Sequence, residues 1–183
     1  MEKNFIIAGF GGQGVLLAGE VLANAFMISG KNVTWYPCYG AEMRGGTVNC
    51  EIVMSDDEVS SVNKSEADYI IVLNQASFDK FEEKVRKGGT LIVNTSLAEE
   101  KRNRSDIDYV FAPISEMAEG LGNVKMANML ALGLLSKSSK LMSVEILLNA
   151  LATVLPPHRQ KLLPLNEKAM DMGYKYDLLT INC

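Results

Sequence analysis

The sequence predicts an α/β fold: a mostly parallel sheet with helices on both faces and a helical C-terminal extension. Three observations point there. An apolar run, Phe5-Ile6-Ile7-Ala8, passes through a glycine-rich turn, Gly9-Phe10-Gly11-Gly12-Gln13-Gly14, into a helical stretch. Short β-branched and aromatic runs then alternate with amphipathic ones. Beyond Ile114 the apolar spacing is helical. No repeat, low-complexity segment or linker interrupts this order, so residues 1–183 read as one domain.

Taken in order, Phe5–Ala8 is a buried strand. Val15–Ser29 is a helix with Val15, Ala18, Leu22, Ala25 and Phe26 on one face, ended by Gly30. Val33-Thr34-Trp35-Tyr36 is the next strand and completes a strand–helix–strand unit of Rossmann-like type. Thr47–Met54 is a third strand, with Val48, Cys50, Ile52 and Met54 alternating to one side. Asp56-Asp57 makes a turn, and Glu58–Val62 reads as a short hairpin arm. Tyr69–Leu73 is a buried strand with Asn74-Gln75 at its carboxyl end, followed by a helix from Ser77 to Arg86 that Lys87-Gly88-Gly89 stops. Thr90–Asn94 and Asp108–Ala112 are strands. Ile114–Gly120, Lys125–Ser136, Val144–Leu155 and Asn166–Tyr176 are helices, the second apolar nearly all round and the last interrupted near Gly173. Pro156-Pro157 breaks the chain and starts another helical turn.

Composition narrows the function. The chain has 183 residues and a net charge of −4. That mild acidity, with Lys101, Arg102 and Arg104 offset by Glu99, Glu100 and Asp106, argues against nucleic acid. No stretch is long enough to span a bilayer, and no targeting signal is visible. Three scattered cysteines (Cys38, Cys50, Cys183) and one histidine (His158) do not make a four-ligand cluster, so no metal is expected on this chain. An odd cysteine count without a secretion signal points to the cytoplasm.

The chemistry concentrates in two glycine loops. In the first, glycines allow a sharp turn and the free N–H groups at the helix start attract anions, so Gly11, Gly12, Gln13 and Gly14 are candidate cofactor contacts. A tight turn with no ligand is the alternative. The second, Tyr39-Gly40-Ala41-Glu42-Met43-Arg44-Gly45-Gly46, follows the second strand, and in a parallel sheet both would lie at the carboxyl edge where ligands bind. Arg44 beside Gly45 and Gly46 offers a guanidinium next to bare N–H groups, and Glu42 pairs with Arg44 or with a partner's cation; a solvated ion pair is the plainer reading. NAD-binding units carry an acid at the end of the second strand, but Tyr36-Pro37-Cys38-Tyr39 stands here, which argues against conventional NAD binding. Tyr36 and Tyr39 read as core-edge aromatics or stacking platforms, and Asn74, Gln75 and Asn94 as strand-end caps. Asn128, inside an apolar helix, must find a partner, the first loop being one choice. Cys38 and Cys50 lack a nearby base, and His158 reads as a surface residue. No catalytic constellation emerges. A nicotinamide or flavin oxidoreductase and a free-standing nucleotide- or coenzyme A-binding module both stay open.

The two loops, in this order and spacing, resemble those of the gamma subunit of 2-oxoacid:ferredoxin oxidoreductases. Asn128-Met129-Leu130-Ala131-Leu132-Gly133 and Asn166-Glu167-Lys168-Ala169-Met170, followed by Gly173-Tyr174, are similar to later landmarks of that family. The resemblance covers almost the whole chain. It departs at Ala41, where the family often has proline, and at Ser61-Val62-Asn63, where it often has Ser-Pro. What it implies is a Rossmann-like subunit beside partners that decarboxylate a 2-oxoacid on thiamine diphosphate, pass electrons through iron–sulfur clusters to ferredoxin, and deliver the acyl group to coenzyme A. Thiamine and clusters would belong to alpha and beta subunits, with or without a ferredoxin-like delta subunit. This chain would help form the coenzyme A site, with Gly11, Gly12, Gln13, Gly14, Glu42, Arg44, Gly45 and Gly46 as the motif positions. The nearest substrates implied are 2-oxoglutarate and branched-chain oxoacids, then pyruvate.

Overall fold

The structure, a computed structural model, describes residues 1–39, 47–59 and 65–177. The strands are β1 (Glu2–Phe10), β2 (Asn32–Tyr39), β3 (Thr47–Ser55), β4 (Ala67–Val72), β5 (Val85–Asn94) and β6 (Asp108–Ala112). They form one sheet in the order β2-β3-β1-β4-β5-β6. Neighbours from β1 through β4 and β5 to β6 pair in parallel, whereas β3 runs antiparallel to both β1 and β2. Five strands therefore point one way, and the mostly parallel sheet is as the sequence predicts.

The first strand–helix–strand unit is not made of neighbouring strands, because β3 lies between β1 and β2. Only seven residues join Tyr39 to Thr47. A parallel crossover needs a dozen or more, so β2 and β3 must form a hairpin. The second glycine loop, with Glu42, Arg44, Gly45 and Gly46, is thus a hairpin connection, and its residues lie outside the described ones. So do Cys183, Ser61-Val62-Asn63 and most of the expected Glu58–Val62 arm.

The helices are α1 (Val15–Ile28), α2 (Gln75–Phe81), α3 (Ile114–Gly120), α4 (Ala127–Ser139), α5 (Val144–Val154) and α6 (Leu163–Lys175). They cover the two faces unequally. Phe5, Ile7, Cys50, Ile52, Met54, Ile71 and Ile92 pack under α1, α4, α5 and α6. On the opposite face Ile6, Ala8, Ile70, Val72, Leu91 and Val93 meet Phe78 and Phe81 of α2. Ten consecutive residues of α4, Ala127 to Ser136, are buried, as an all-round apolar helix requires.

Two helix boundaries differ from the sequence reading. The α2 helix ends at Phe81 and a 3₁₀ turn, Glu82–Lys84, leads directly into β5. Val85 already pairs with Ala67, so Lys87-Gly88-Gly89 belongs to the strand, at a register shift. The last helix begins at Leu163 and runs through Gly173 without interruption. Gly173 is there because α6 crosses α4 at backbone contact: its β-carbon would overlap the Leu130 carbonyl, with the carbonyl carbon only 3.0 Å away. A β-carbon on Gly133 would likewise fall 2.9 Å from the Met170 carbonyl carbon.

Buried polar groups fix the edges. Asp68 accepts from Lys3 Nζ (2.8 Å), Asn4 N (2.9 Å) and Arg86 Nη1 (3.0 Å). Near β6, the buried Glu82 carboxylate takes the Tyr109 hydroxyl and Asn103 Nδ2 (2.8 Å), while Arg104 Nη1 donates to the Glu82 and Val85 carbonyls.

Candidate functional site

The first glycine loop sits at the carboxyl end of β1. Gln13 N donates to Phe10 O (3.2 Å), which closes the turn. Gly12 has φ +94° and Gly14 φ +73°, left-handed values that suit glycine. Gly14 caps α1 without a side-chain cap, and the first turn of α1 has no acidic residue. The first N–H groups of a helix lack intrahelical acceptors, and this N-terminus carries partial positive charge. Gly11 and Gly12 are exposed, and neither would bring a β-carbon within 4 Å of another described residue. The outer surface of the loop is bare backbone.

The inner side is an array of amides. Gln13 turns back beneath the loop: its Oε1 accepts from Phe10 N (2.6 Å) and Asn74 Nδ2 (3.2 Å), and its Nε2 donates to Leu73 O (3.2 Å). Asn94 Nδ2 donates to the same carbonyl (3.1 Å) and to Ser115 Oγ (2.8 Å), and its Oδ1 accepts from Ser115 N (3.1 Å). Asn74 also caps α2 by accepting from Ser77 N (2.9 Å). From the other flank Asn128 Nδ2 donates to Gly14 O (3.1 Å). A β-carbon at Gly14 would run into that amide, whose Cγ would be 3.0 Å away.

Of the motif residues, Gly11, Gly12, Gln13 and Gly14 thus share one turn, with the Gln13 side chain directed inward. Glu42, Arg44, Gly45 and Gly46 lie outside the described residues, but the strand ends that flank them belong to this edge. Thr47 pairs with Phe10, and Val48 pairs with both Gly9 and Tyr39. The expectation of one shared edge holds for those flanks, through a hairpin. Lys80 of α2 brings an ammonium there, 3.4 Å from Thr47 Oγ1. Asn74 and Asn94 are the caps foreseen, and they also bond across the sheet edge. Ser115 carried no sequence signal. Tyr36 is exposed on the sheet face away from α1. Burial pushes the Cys50 thiol up to about 12, and its Sγ lies 3.6 Å from Val15 O, so it is a core residue. The half-buried Cys38 is also raised, by burial and then by Glu51. His158 is exposed in a 3₁₀ turn. Among the described residues no three His, Cys, Asp or Glu side chains are grouped to hold a metal, and no helix is long and apolar enough to cross a membrane.

A family model described as pyruvate ferredoxin/flavodoxin oxidoreductase matches residues 4–176. The chain belongs to this family. The ketoisovalerate oxidoreductase subunit VorA of Methanothermobacter marburgensis is 39% identical over 134 residues, covering 73% of this chain but only 28% of that protein. The 2-oxoglutarate synthase subunit KorC of Archaeoglobus fulgidus is 38% identical over 135 residues, 74% of this chain and 70% of KorC. Among solved structures, the gamma subunit of a keto/oxoacid ferredoxin oxidoreductase from Geobacter sulfurreducens superposes with a TM-score of 0.83 at 29% identity, covering 95% of both chains. The family is one of oxidoreductase subunits, and the fold is that of its gamma subunit. Its later landmarks now have places: Asn128 holds the glycine loop, and Gly133 and Gly173 form the α4–α6 crossing.

Proposed function

We propose that this chain is the gamma subunit of a cytoplasmic, multisubunit 2-oxoacid:ferredoxin oxidoreductase, acting as one domain over residues 1–183. It works beside alpha and beta subunits, with or without a ferredoxin-like delta subunit, that carry thiamine diphosphate and iron–sulfur clusters. The observation that supports this best is the end-to-end match with a gamma subunit, 95% of both chains. The KorC and VorA relatives make 2-oxoglutarate and branched-chain oxoacids the substrates of choice.

In this reading the chain binds no cofactor alone, and its own work is to help form the site for coenzyme A, the acyl acceptor. The bare N–H groups of Gly11, Gly12 and the first turn of α1 suit an anionic group, and Lys80 adds charge at the same edge. Glu42, Arg44, Gly45 and Gly46, on the neighbouring connection, are the remaining motif positions assigned to the same coenzyme in this reading. Gln13 serves the same cradle.

Anaerobic isolation from native cells tests the reading. The expected result is a stoichiometric complex containing thiamine diphosphate and iron, with ferredoxin reduction that needs coenzyme A and 2-oxoglutarate or ketoisovalerate. A partner-free preparation without thiamine or iron would overturn it.

A further inference from the structure

The Asn128 landmark lies 114 residues from the glycine loop in sequence, and the proposed function gives it no work. It is 3% exposed, so it is closed off from any ligand of the loop. Both ends of its amide are engaged. Oδ1 accepts from Met129 N (2.9 Å), which pins the side chain at the start of α4, and Nδ2 donates to Gly14 O. That carbonyl also accepts the first hydrogen bond of α1, from Ala18 N (3.0 Å). Gly14 has no side chain, which leaves room for an amide from another helix to sit against it. On the opposite flank the Gln13 amide holds Phe10 N and Leu73 O. The loop is therefore gripped from both sides, while Gly11 and Gly12 between the grips are exposed, with no described residue within 4 Å of where a β-carbon would stand.

We infer that Asn128 and Gln13 are positioning residues for the bound coenzyme. They fix the left-handed turn at Gly12 and Gly14, so that the outward N–H groups are aimed before the ligand arrives. Preorganisation of this kind raises affinity by removing the ordering cost from the binding step. The inference rests on the reading of this loop as the coenzyme A cradle, and the experiment separates the two.

The assembled complex is assayed with coenzyme A varied at saturating 2-oxoacid. Asn128→Ala is expected to raise KM for coenzyme A roughly ten-fold, the effect of losing about one net hydrogen bond. Its kcat and its KM for the 2-oxoacid stay within about two-fold. Ser136→Ala is the control, because it removes a buried hydrogen bond of the same helix, to Met142 O, away from the loop. It should lower stability comparably and leave KM unchanged. Amide hydrogen exchange over Gly11–Leu16 should quicken in Asn128→Ala and stay as wild type in Ser136→Ala. Gly11→Ala adds one methyl to the exposed loop surface at an ordinary φ, so it reports contact with the ligand without cost to the fold. If Gly11→Ala leaves KM for coenzyme A unchanged, the cradle reading fails and this inference falls with it. If Gly11→Ala raises that KM and Asn128→Ala behaves as Ser136→Ala, the cradle stands and the positioning role is refuted. Should the alanine variant fail to assemble, Asn128→Ser, too short to reach Gly14, repeats the comparison with the same two outcomes.

Discussion

Replacing Gly173 with alanine tests the α4–α6 crossing directly. The added β-carbon would land on the Leu130 carbonyl, with Leu134 N 3.0 Å away. Backbone does not swing aside as a side chain does, so the helices must part by roughly 1 Å to recover ordinary contact. A gap of that size forfeits about a quarter to a half of the dispersion energy across it. Leu130, Leu134, Ala169 and Met170 are fully buried along these two helices. Taking about 2 kcal/mol for each, the loss is about 2–4 kcal/mol. Alanine's better helix propensity offsets about 1 kcal/mol. The expected net destabilisation is about 1–3 kcal/mol, a fall in Tm of roughly 3–10 °C for a chain of this size. Thermal and urea unfolding followed by circular dichroism measure it. Gly120→Ala, at the end of α3 with no atom within 4 Å of the new carbon, is the matched control and should be neutral or slightly stabilising. A Gly173→Ala protein that melts at or above the wild-type temperature would refute the backbone-contact argument.

Two further perturbations probe the buried polar clusters. Burial opposes ionisation of Asp68, yet its bonds to Lys3, Asn4 N and Arg86 hold its carboxyl below the ordinary value. A depressed folded-state pKa means that the stabilisation is present above about pH 4 and fades as pH falls through the folded value. Asp68→Asn should cost about 1–2 kcal/mol at pH 7, reduced from the fully buried case because Lys3 and Arg86 are partly solvated. Urea midpoints of the two proteins should draw together as pH falls below the ordinary carboxylate value, and a gap that stays constant over that fall would contradict the ion-pair account. The Tyr109 phenol is pushed up to about 12, by burial first and by its bond to Glu82 second. A raised folded-state pKa makes stability fall between about pH 10 and 12. Tyr109→Phe leaves the buried Glu82 carboxylate with one donor fewer and should cost about 1–3 kcal/mol in urea unfolding, with the alkaline loss reduced to that from Tyr69 and Tyr176, which are also raised; an unchanged midpoint would show that Asn103 alone satisfies the carboxylate.

Much of the fold was legible because local pattern and tertiary role agree. The run Phe5–Ala8, the helical spacing of Val15–Phe26 and the apolar circumference of Ala127–Ser136 each describe the surface they bury. Where reading failed, a distant group decided. The α2 helix stops at Phe81 because Val85 must pair with Ala67, a long-range contact with no local signal. Gly173 reads locally as a helix breaker, and only the approach of Leu130 reveals why a helix tolerates it there. The hairpin was legible but was not read: seven residues between two strands already forbid a parallel return. In the site, the glycines of the first loop announced themselves and Asn128 was marked as needing a partner. The inward turn of Gln13 was hidden, because a glutamine in a glycine loop reads equally as a ligand contact or a brace.

The hairpin also bears on how such a subunit can diverge. Its connection leaves from Tyr39 and returns at Thr47, two strand ends that the sheet holds in register whatever lies between them. Lengthening a closed loop is entropically cheap, about 0.6 kcal/mol for each doubling. Insertions at this point leave the strand pairings on either side in place. Length and sequence can therefore vary between these two strand ends while the first loop keeps its bracing by Gln13 and Asn128.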